Sequence, residues 1–88
     1  MSGAGSVLVV DDSALVRTKL RKAVEALGYG VEAVGSGAEA LTLLAGASFD
    51  LVLLDIVMPE MDGFEVLKAL KASPRTRDLP VIVISALD

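Results

Sequence analysis

The stretch DLVLLDIVMPEMDG at residues 50–63 is the most informative about the fold, because it is expected to join a buried strand to a helix through an acidic turn. The aliphatic run at 51–54 is typical of a strand that is covered on both faces. This run ends on the carboxylate of Asp55, and a Pro and an Asp-Gly pair follow. Since a charge at the tip of a buried strand gains nothing from burial, Asp55 is either a solvated strand-end residue or an acid that does chemistry.

Three other aliphatic runs alternate with helix-like segments along the chain. The runs at 6–10, 30–34 and 81–85 predict strands, in addition to a strand at 50–54. Strands that alternate with helices predict a parallel sheet with right-handed crossovers and helices on both faces. We therefore expect an α/β fold of the flavodoxin-like type, with four strands in the order 2-1-3-4.

Capping residues and apolar stripes predict three helices between these strands. Three residues are placed to cap the helices: Ser13, Ser36 and Asp62. Glu39 and Glu65 complete capping-box patterns with the second and third of these. Gly28 is suited to end the first helix. The predicted apolar stripes comprise Val16, Leu20, Ala23, Val24 and Leu27 in the first helix and Phe64, Leu67 and Leu70 in the third.

The composition excludes several classes of function. The 88 residues include no Cys and no His, which excludes disulfides, thiolate metal sites and the commonest general base. A net charge of −4 opposes direct binding to nucleic acid or to an anionic membrane surface. No segment approaches the ~20 apolar residues of a membrane span, and the N-terminus does not have the pattern of a signal peptide. We expect one domain in a reducing compartment such as the cytoplasm.

Carboxylates follow two strands that the expected topology makes neighbours. Asp11 and Asp12 come directly after the first strand, and Asp55 comes after the third. Because the carboxyl ends of parallel strands meet at one edge of the sheet, these acids should converge. Mg²⁺ would offset their repulsion, and Ser85 would add a hydroxyl at the end of the fourth strand. Such a site suits phosphoryl transfer with one carboxylate as nucleophile.

The segments VVDDS (9–13), LLDIVMPEMDG (53–63) and VIVISA (81–86) together resemble the receiver domain of bacterial two-component response regulators, over residues 7–86. The resemblance implies that Asp55 accepts a phosphoryl group from a sensor histidine kinase or a phosphotransfer protein. The chain itself would then be a signalling module and not an enzyme. The implied Mg²⁺ ligands are Asp12 directly, Asp11 through water, Asp55, and the backbone carbonyl of Val57. The resemblance also implies that Ser85 is the switch hydroxyl, and that the loop around the site is shaped by Met58, Pro59 and Gly63.

The sequence departs from the family pattern after the fourth strand. It has no match to a fifth strand, to the last two helices, or to the lysine that follows the fifth strand in the family. Lys68 and Lys71 belong to the predicted third helix, away from the strand ends. We therefore expect residues 1–6 to be a flexible N-terminal segment and residues 7–88 to be a partial receiver domain.

Two alternative functions remain open at this point. In the first, the chain is a truncated receiver fragment that acts as a structural or self-association module without phosphorylation switching. The fourth strand would then be an exposed apolar edge through which a homo-oligomer forms. In the second, the chain is a phosphatase-like hydrolase with an aspartyl nucleophile. This alternative has less support, because such enzymes use an Asp-x-Asp pattern and here the third place holds Ser13.

Overall fold

A computed structural model of the chain describes residues 5–56 and 63–84. Strands and helices alternate within these two ranges, as the sequence predicts. In chain order they are β1 (Ser6–Val10), α1 (Ala14–Ala26), β2 (Gly30–Val34), α2 (Gly37–Gly46), β3 (Leu51–Asp55), α3 (Gly63–Ala72) and β4 (Val81–Ile84). The third strand lies one residue later than predicted, so Asp55 is its last residue. None of the helices within the described ranges has the length and hydrophobicity that a transmembrane span requires.

The strands form one parallel sheet in the order β2-β1-β3-β4, which confirms the predicted topology. Val10 at the end of β1 lies opposite Val34 of β2 and Leu54 of β3. The strand order reverses between β1 and β3, and their carboxyl ends lie side by side. This is the edge at which open parallel sheets form their sites.

The core lies between the sheet and the two helices α2 and α3. Its buried side chains are Leu8, Val10, Ala40, Leu44, Val52, Leu54, Val66 and Leu70. Alternate residues of β1 and β3 point into this core, as the pleat of a strand requires. Both central strands are therefore packed into the core just before their acidic residues, Asp11 after β1 and Asp55 at the end of β3.

Among the described residues, the opposite face of the sheet is covered only in part, by α1. No residue of this fully described helix is buried, and Ala23 and Leu27 of the predicted apolar stripe are exposed. Leu27 is 73% exposed. An open groove of about 500 Å³ lies beside the helix and is lined by Val7, Val24, Leu27, Tyr29, Asp50, Leu51, Leu53 and Pro80.

The caps of α1 and α2 follow the sequence prediction. The Ser13 hydroxyl accepts a hydrogen bond from the N–H of Val16, and Gly28 after the helix has a φ of 96°, in the left-handed region. The Ser36 hydroxyl accepts from the N–H of Glu39. The Glu39 carboxylate in turn accepts from the N–H of Gly35, one residue before the cap.

The predicted apolar stripe of α3 was wrong at its first residue. Phe64 is 63% exposed, whereas Val66 and Leu70 are buried and Leu67 is half-buried. The inward face is set by Gly63, which packs against the end of β3, and Phe64 points about 100° away from it. The predicted cap residue Asp62 lies outside the described residues.

Candidate functional site

Three carboxylates meet where β1 and β3 end. Asp11, Asp12 and Asp55 each offer one carboxylate oxygen, and these three oxygens lie within 4.8 Å of one another. Asp11 and Asp55 are each only 4% exposed, whereas Asp12 is exposed. This acidic cluster, defined by these three residues, has a buried floor and an open rim. The sequence prediction that acids from two separate segments converge is correct.

Asp11 is held at three points. Its N–H donates to the carbonyl of Val34 on β2 at 3.1 Å. Its carboxylate accepts a hydrogen bond of 2.8 Å from the N–H of Ser13, and its carbonyl accepts one of 2.7 Å from Nη1 of Arg17. The turn between β1 and α1 is therefore fixed before any ligand binds.

Burial raises the pKa of Asp11 above its ordinary value of 3.8, because a buried carboxylate loses hydration. The hydrogen bond from Ser13 acts in the opposite direction. The negative charges of Asp55 and, more weakly, of Asp12 raise the pKa further, and the positive charge of Arg17 lowers it. The charged form of Asp11 is thus disfavoured, and a cation placed among the three carboxylates would stabilise it.

The donor set fits a hard divalent cation. Mg²⁺ prefers oxygen ligands and is usually bound through one or two carboxylates while it keeps several waters. The exposed Asp12 leaves room for those waters at the rim, and the buried acids supply the charge. The described residues contain no Cys or His that would favour a softer metal. The roles predicted for Val57, Met58, Pro59 and Ser85 concern residues that lie outside the described ranges.

Gly63 lies directly against the acidic cluster. Its N–H donates to the carbonyl of Ile56 at 3.2 Å, and a Cβ at this position would meet the backbone of Asp55 and Ile56. Ile56 also donates its N–H to the carbonyl of Ile84, which ties the end of β3 to β4. Ile56, the residue directly after Asp55, is therefore held from two sides.

The sequence pattern did not predict a role for Arg17 at this site. Its guanidinium lies against the β1–α1 turn and is only half-exposed. The sequence holds only a weak signal for this contact, which is that Arg17 stands four residues after the cap residue Ser13. Side chains in a helix lean toward its N-terminus, and here that is the edge of the sheet that carries the acids.

Known proteins with similar sequences support the assignment of a family. Residues 7–88 match the response regulator receiver domain model. The response regulator MprA of Mycobacterium sp. (strain KMS) is 44% identical over 82 residues, which cover 93% of this chain and 35% of that protein. The gliding motility regulatory protein of Myxococcus xanthus is 41% identical over 81 residues, 92% of this chain and 10% of that protein. The chain thus spans only 35% and 10% of the lengths of these two relatives.

Solved structures agree with the sequence matches. The N-terminal domain of a response regulator receiver protein from Methanoculleus marisnigri JR1 superposes with a TM-score of 0.92 at 41% identity, over 97% of this chain and 69% of that one. The response regulator TrrA of Thermotoga maritima, solved in complex with Mg²⁺-BeF, gives a TM-score of 0.87 at 32% identity, over 94% of this chain and 70% of that one. With its fold, its acidic cluster and these relatives, the chain belongs to the response regulator receiver domain family.

Proposed function

We propose that this chain is a phospho-accepting signalling module, in which Asp55 takes a phosphoryl group from a sensor histidine kinase or a phosphotransfer protein. The acidic cluster would bind the Mg²⁺ that this transfer needs. The observation that carries the proposal is the convergence of three carboxylate oxygens within 4.8 Å, two of them on nearly buried residues. Membership of the family and the Mg²⁺-BeF complex of the Thermotoga maritima relative add support.

The proposed reaction is a single phosphoryl transfer. A carboxylate oxygen of Asp55 attacks the phosphorus of a phosphohistidine, and a new P–O bond forms while the P–N bond breaks. The bonding electron pair stays on the imidazole nitrogen, and the ring leaves as neutral imidazole because its other nitrogen carries a proton before the transfer. Bound Mg²⁺ supplies charge screening for the phosphoryl oxygens. Asp55 is nearly buried at the end of a rigid strand, so its carboxylate is held in place for attack with little loss of conformational entropy.

The remaining site roles form part of the same proposal. Asp11 and Asp12 would hold the cation together with Asp55 and the backbone carbonyl of Val57. The hydroxyl of Ser85 would contact the phosphoryl group and couple its arrival to a change at the surface. A phosphoryl group adds negative charge and strong acceptor oxygens, which is enough to shift a two-state surface.

Acetyl phosphate with Mg²⁺ tests the proposal without knowledge of the partner, because it replaces phosphohistidine as donor. We expect the intact mass of the wild-type chain to increase by one phosphoryl group. Asp55→Asn should show no increase. Asp50→Asn is the matched control, because Asp50 precedes β3 at its other end, where its carboxylate accepts a hydrogen bond of 2.8 Å from the N–H of Ser6. An unmodified wild type, or an adduct that survives in Asp55→Asn, would refute the proposal.

Self-association is a second candidate function, favoured by the surface of β4. Among the described strands β4 lies at the edge of the sheet, and its residues Ile82 and Val83 are 52% and 44% exposed. These two side chains point to opposite faces of the sheet, so both faces are apolar at this edge. An edge of this kind can pair with a strand of a second copy.

A further inference from the structure

Arg17 connects two turns at the edge of the sheet that carries the acids. From the first turns of α1 its Nη1 donates a hydrogen bond of 2.7 Å to the carbonyl of Asp11. The same guanidinium lies over Gly35, the residue after β2, where a Cβ would come within 3.0 Å of Nη1 and 3.6 Å of Cζ. Gly35 therefore leaves the space that the guanidinium occupies.

The bond from Arg17 acts on the peptide unit that joins Asp11 to Asp12. Because a peptide unit is planar, fixing the Asp11 carbonyl also fixes the N–H of Asp12 and the direction in which its Cα leaves the strand. Asp12 is exposed, and its side chain forms no hydrogen bond or ion pair with the described residues. Its place in the acidic cluster then depends on the backbone before it.

We infer that Arg17 is a positioning residue for metal binding, which holds the Asp11–Asp12 peptide so that both carboxylates face Asp55. The inference rests on the proposed Mg²⁺ site and adds a residue that does not touch the cation. Residues behind metal ligands commonly have large effects on affinity, because they fix the ligands in the binding arrangement.

The positive charge of Arg17 should affect Mg²⁺ binding in the opposite direction to its positioning role. The direction in which Mg²⁺ affinity changes when Arg17 is removed therefore tests the inference. A guanidinium close to the acidic cluster repels a cation by Coulomb's law. If this repulsion were the main effect of Arg17, its removal would tighten Mg²⁺ binding. If positioning is the main effect, its removal weakens Mg²⁺ binding.

Arg21 offers a matched control on the same helix. It lies one turn after Arg17, and its Nη1 donates a hydrogen bond of 3.3 Å to the carbonyl of Val31 on β2. It also forms an ion pair of 3.8 Å with Glu25. Removal of either arginine removes one hydrogen bond between an α1 side chain and a backbone carbonyl outside the helix. Of the two arginines, only Arg17 donates to a residue of the acidic cluster.

The experiment is a titration of the apo chain with Mg²⁺, followed by the amide NMR shifts of the turn after β1, for the wild type, Arg17→Met, Arg17→Lys and Arg21→Met. We expect Arg17→Met to raise the Kd for Mg²⁺ about tenfold. Arg17→Lys should recover part of the loss, since an ammonium can donate to the same carbonyl. Arg21→Met should stay within about twofold of the wild type, even if urea unfolding shows a similar loss of stability in both methionine variants.

The outcomes separate this inference from the proposed function. Equal or tighter Mg²⁺ binding by Arg17→Met, with the wild type binding normally, would overturn the positioning role alone. An equal loss of affinity in Arg21→Met would also overturn it, because the effect would then follow the stability of α1. A wild-type chain that does not bind Mg²⁺ would overturn the proposed function and this inference with it. If Arg17→Met does not fold, Arg17→Ala takes its place with the same expected loss of Mg²⁺ affinity, since alanine also removes both the donor and the charge.

Discussion

Gly63 packs against the backbone of Asp55 so closely that no side chain fits between them. A Cβ at Gly63 would lie 2.5 Å from the carbonyl oxygen of Asp55, a distance that real Cβ atoms do not reach. This contact seats the start of α3 on the end of β3. It also explains why the residue at which α3 begins is a glycine.

Gly63→Ala should therefore destabilise the fold strongly. The added methyl group meets backbone atoms, which cannot turn aside as a flexible side chain would. We expect a loss of about 2 kcal/mol or more in the free energy of unfolding, measured by urea titration. Gly46→Ala is the control, because a Cβ at the end of α2 has nothing within 4 Å and should gain about 0.5 kcal/mol. Equal stabilities for the two variants would show that the contact at Gly63 is not tight.

Asp55→Asn should stabilise the chain in the absence of Mg²⁺. The substitution removes one of three negative charges whose oxygens lie within 4.8 Å, and like charges at this distance cost about 1 kcal/mol or more. Saturating Mg²⁺ should then raise the melting temperature of the wild type more than that of the variant, since the cation binds the folded wild-type cluster better.

Asp78→Asn is the control for that prediction, because it removes the same charge from an exposed loop position. It should leave the Mg²⁺-induced increase in melting temperature unchanged. If Asp55→Asn is less stable than the wild type without Mg²⁺ and gains as much from the cation, repulsion within the acidic cluster is not the dominant effect.

The raised pKa of Asp11 predicts the direction in which the stability of the chain changes with pH. In the folded chain the pKa of Asp11 lies above 3.8, its value in the unfolded chain. At pH values between these two pKa values, the folded chain therefore binds more protons than the unfolded chain. The stability that comes from protonated Asp11 is present in full below pH 3.8 and is lost as the pH rises through the raised pKa. Without Mg²⁺, the wild type should therefore lose stability relative to Asp11→Asn as the pH rises through this window.

Urea midpoints at a series of pH values check this prediction. Asn is a suitable replacement, because its amide oxygen can still accept the hydrogen bond from Ser13. The difference between the two chains reports on Asp11 and on its interactions with Asp55 and Asp12. A difference that stays constant with pH, or that moves in favour of the wild type as the pH rises, would contradict the raised pKa.

Self-association through β4 predicts an effect of charge at the sheet edge. Ile82→Lys should shift the elution volume in gel filtration toward that of a monomer at high protein concentration, because lysine on an edge strand opposes pairing. Thr42→Lys adds the same charge on the exposed side of α2 and should leave the association unchanged. A wild type that elutes as a monomer at all concentrations would remove this candidate function.

Local patterns in the sequence were sufficient to predict the strands, the caps of α1 and α2, and the convergence of Asp11, Asp12 and Asp55. Each of these depends on residues that are close in sequence or on the general rule for parallel sheets. The exposure of Phe64 and Leu27 was not predictable in this way. It depends on which side of each helix meets the sheet, and for α3 that side is set by the contact between Gly63 and Asp55.

Arg17 was missed for a related reason. A basic residue on an amphipathic helix is usually solvated, and only the fold shows that this one reaches the carbonyl of Asp11. Its neighbour Gly35 likewise has no local signal that distinguishes it from an ordinary turn glycine. Contacts between turns from separate βα units require the register of the strands, which the sequence pattern alone does not define.

Chemical trapping of the modified residue identifies directly which aspartate carries the phosphoryl group. An aspartyl phosphate is reduced by borohydride to homoserine, which marks the phosphorylated position permanently in a peptide map. After treatment with acetyl phosphate, we predict homoserine at position 55 when Mg²⁺ is present and almost none when EDTA removes it. Homoserine at another aspartate, or equal labelling with and without Mg²⁺, would contradict the account.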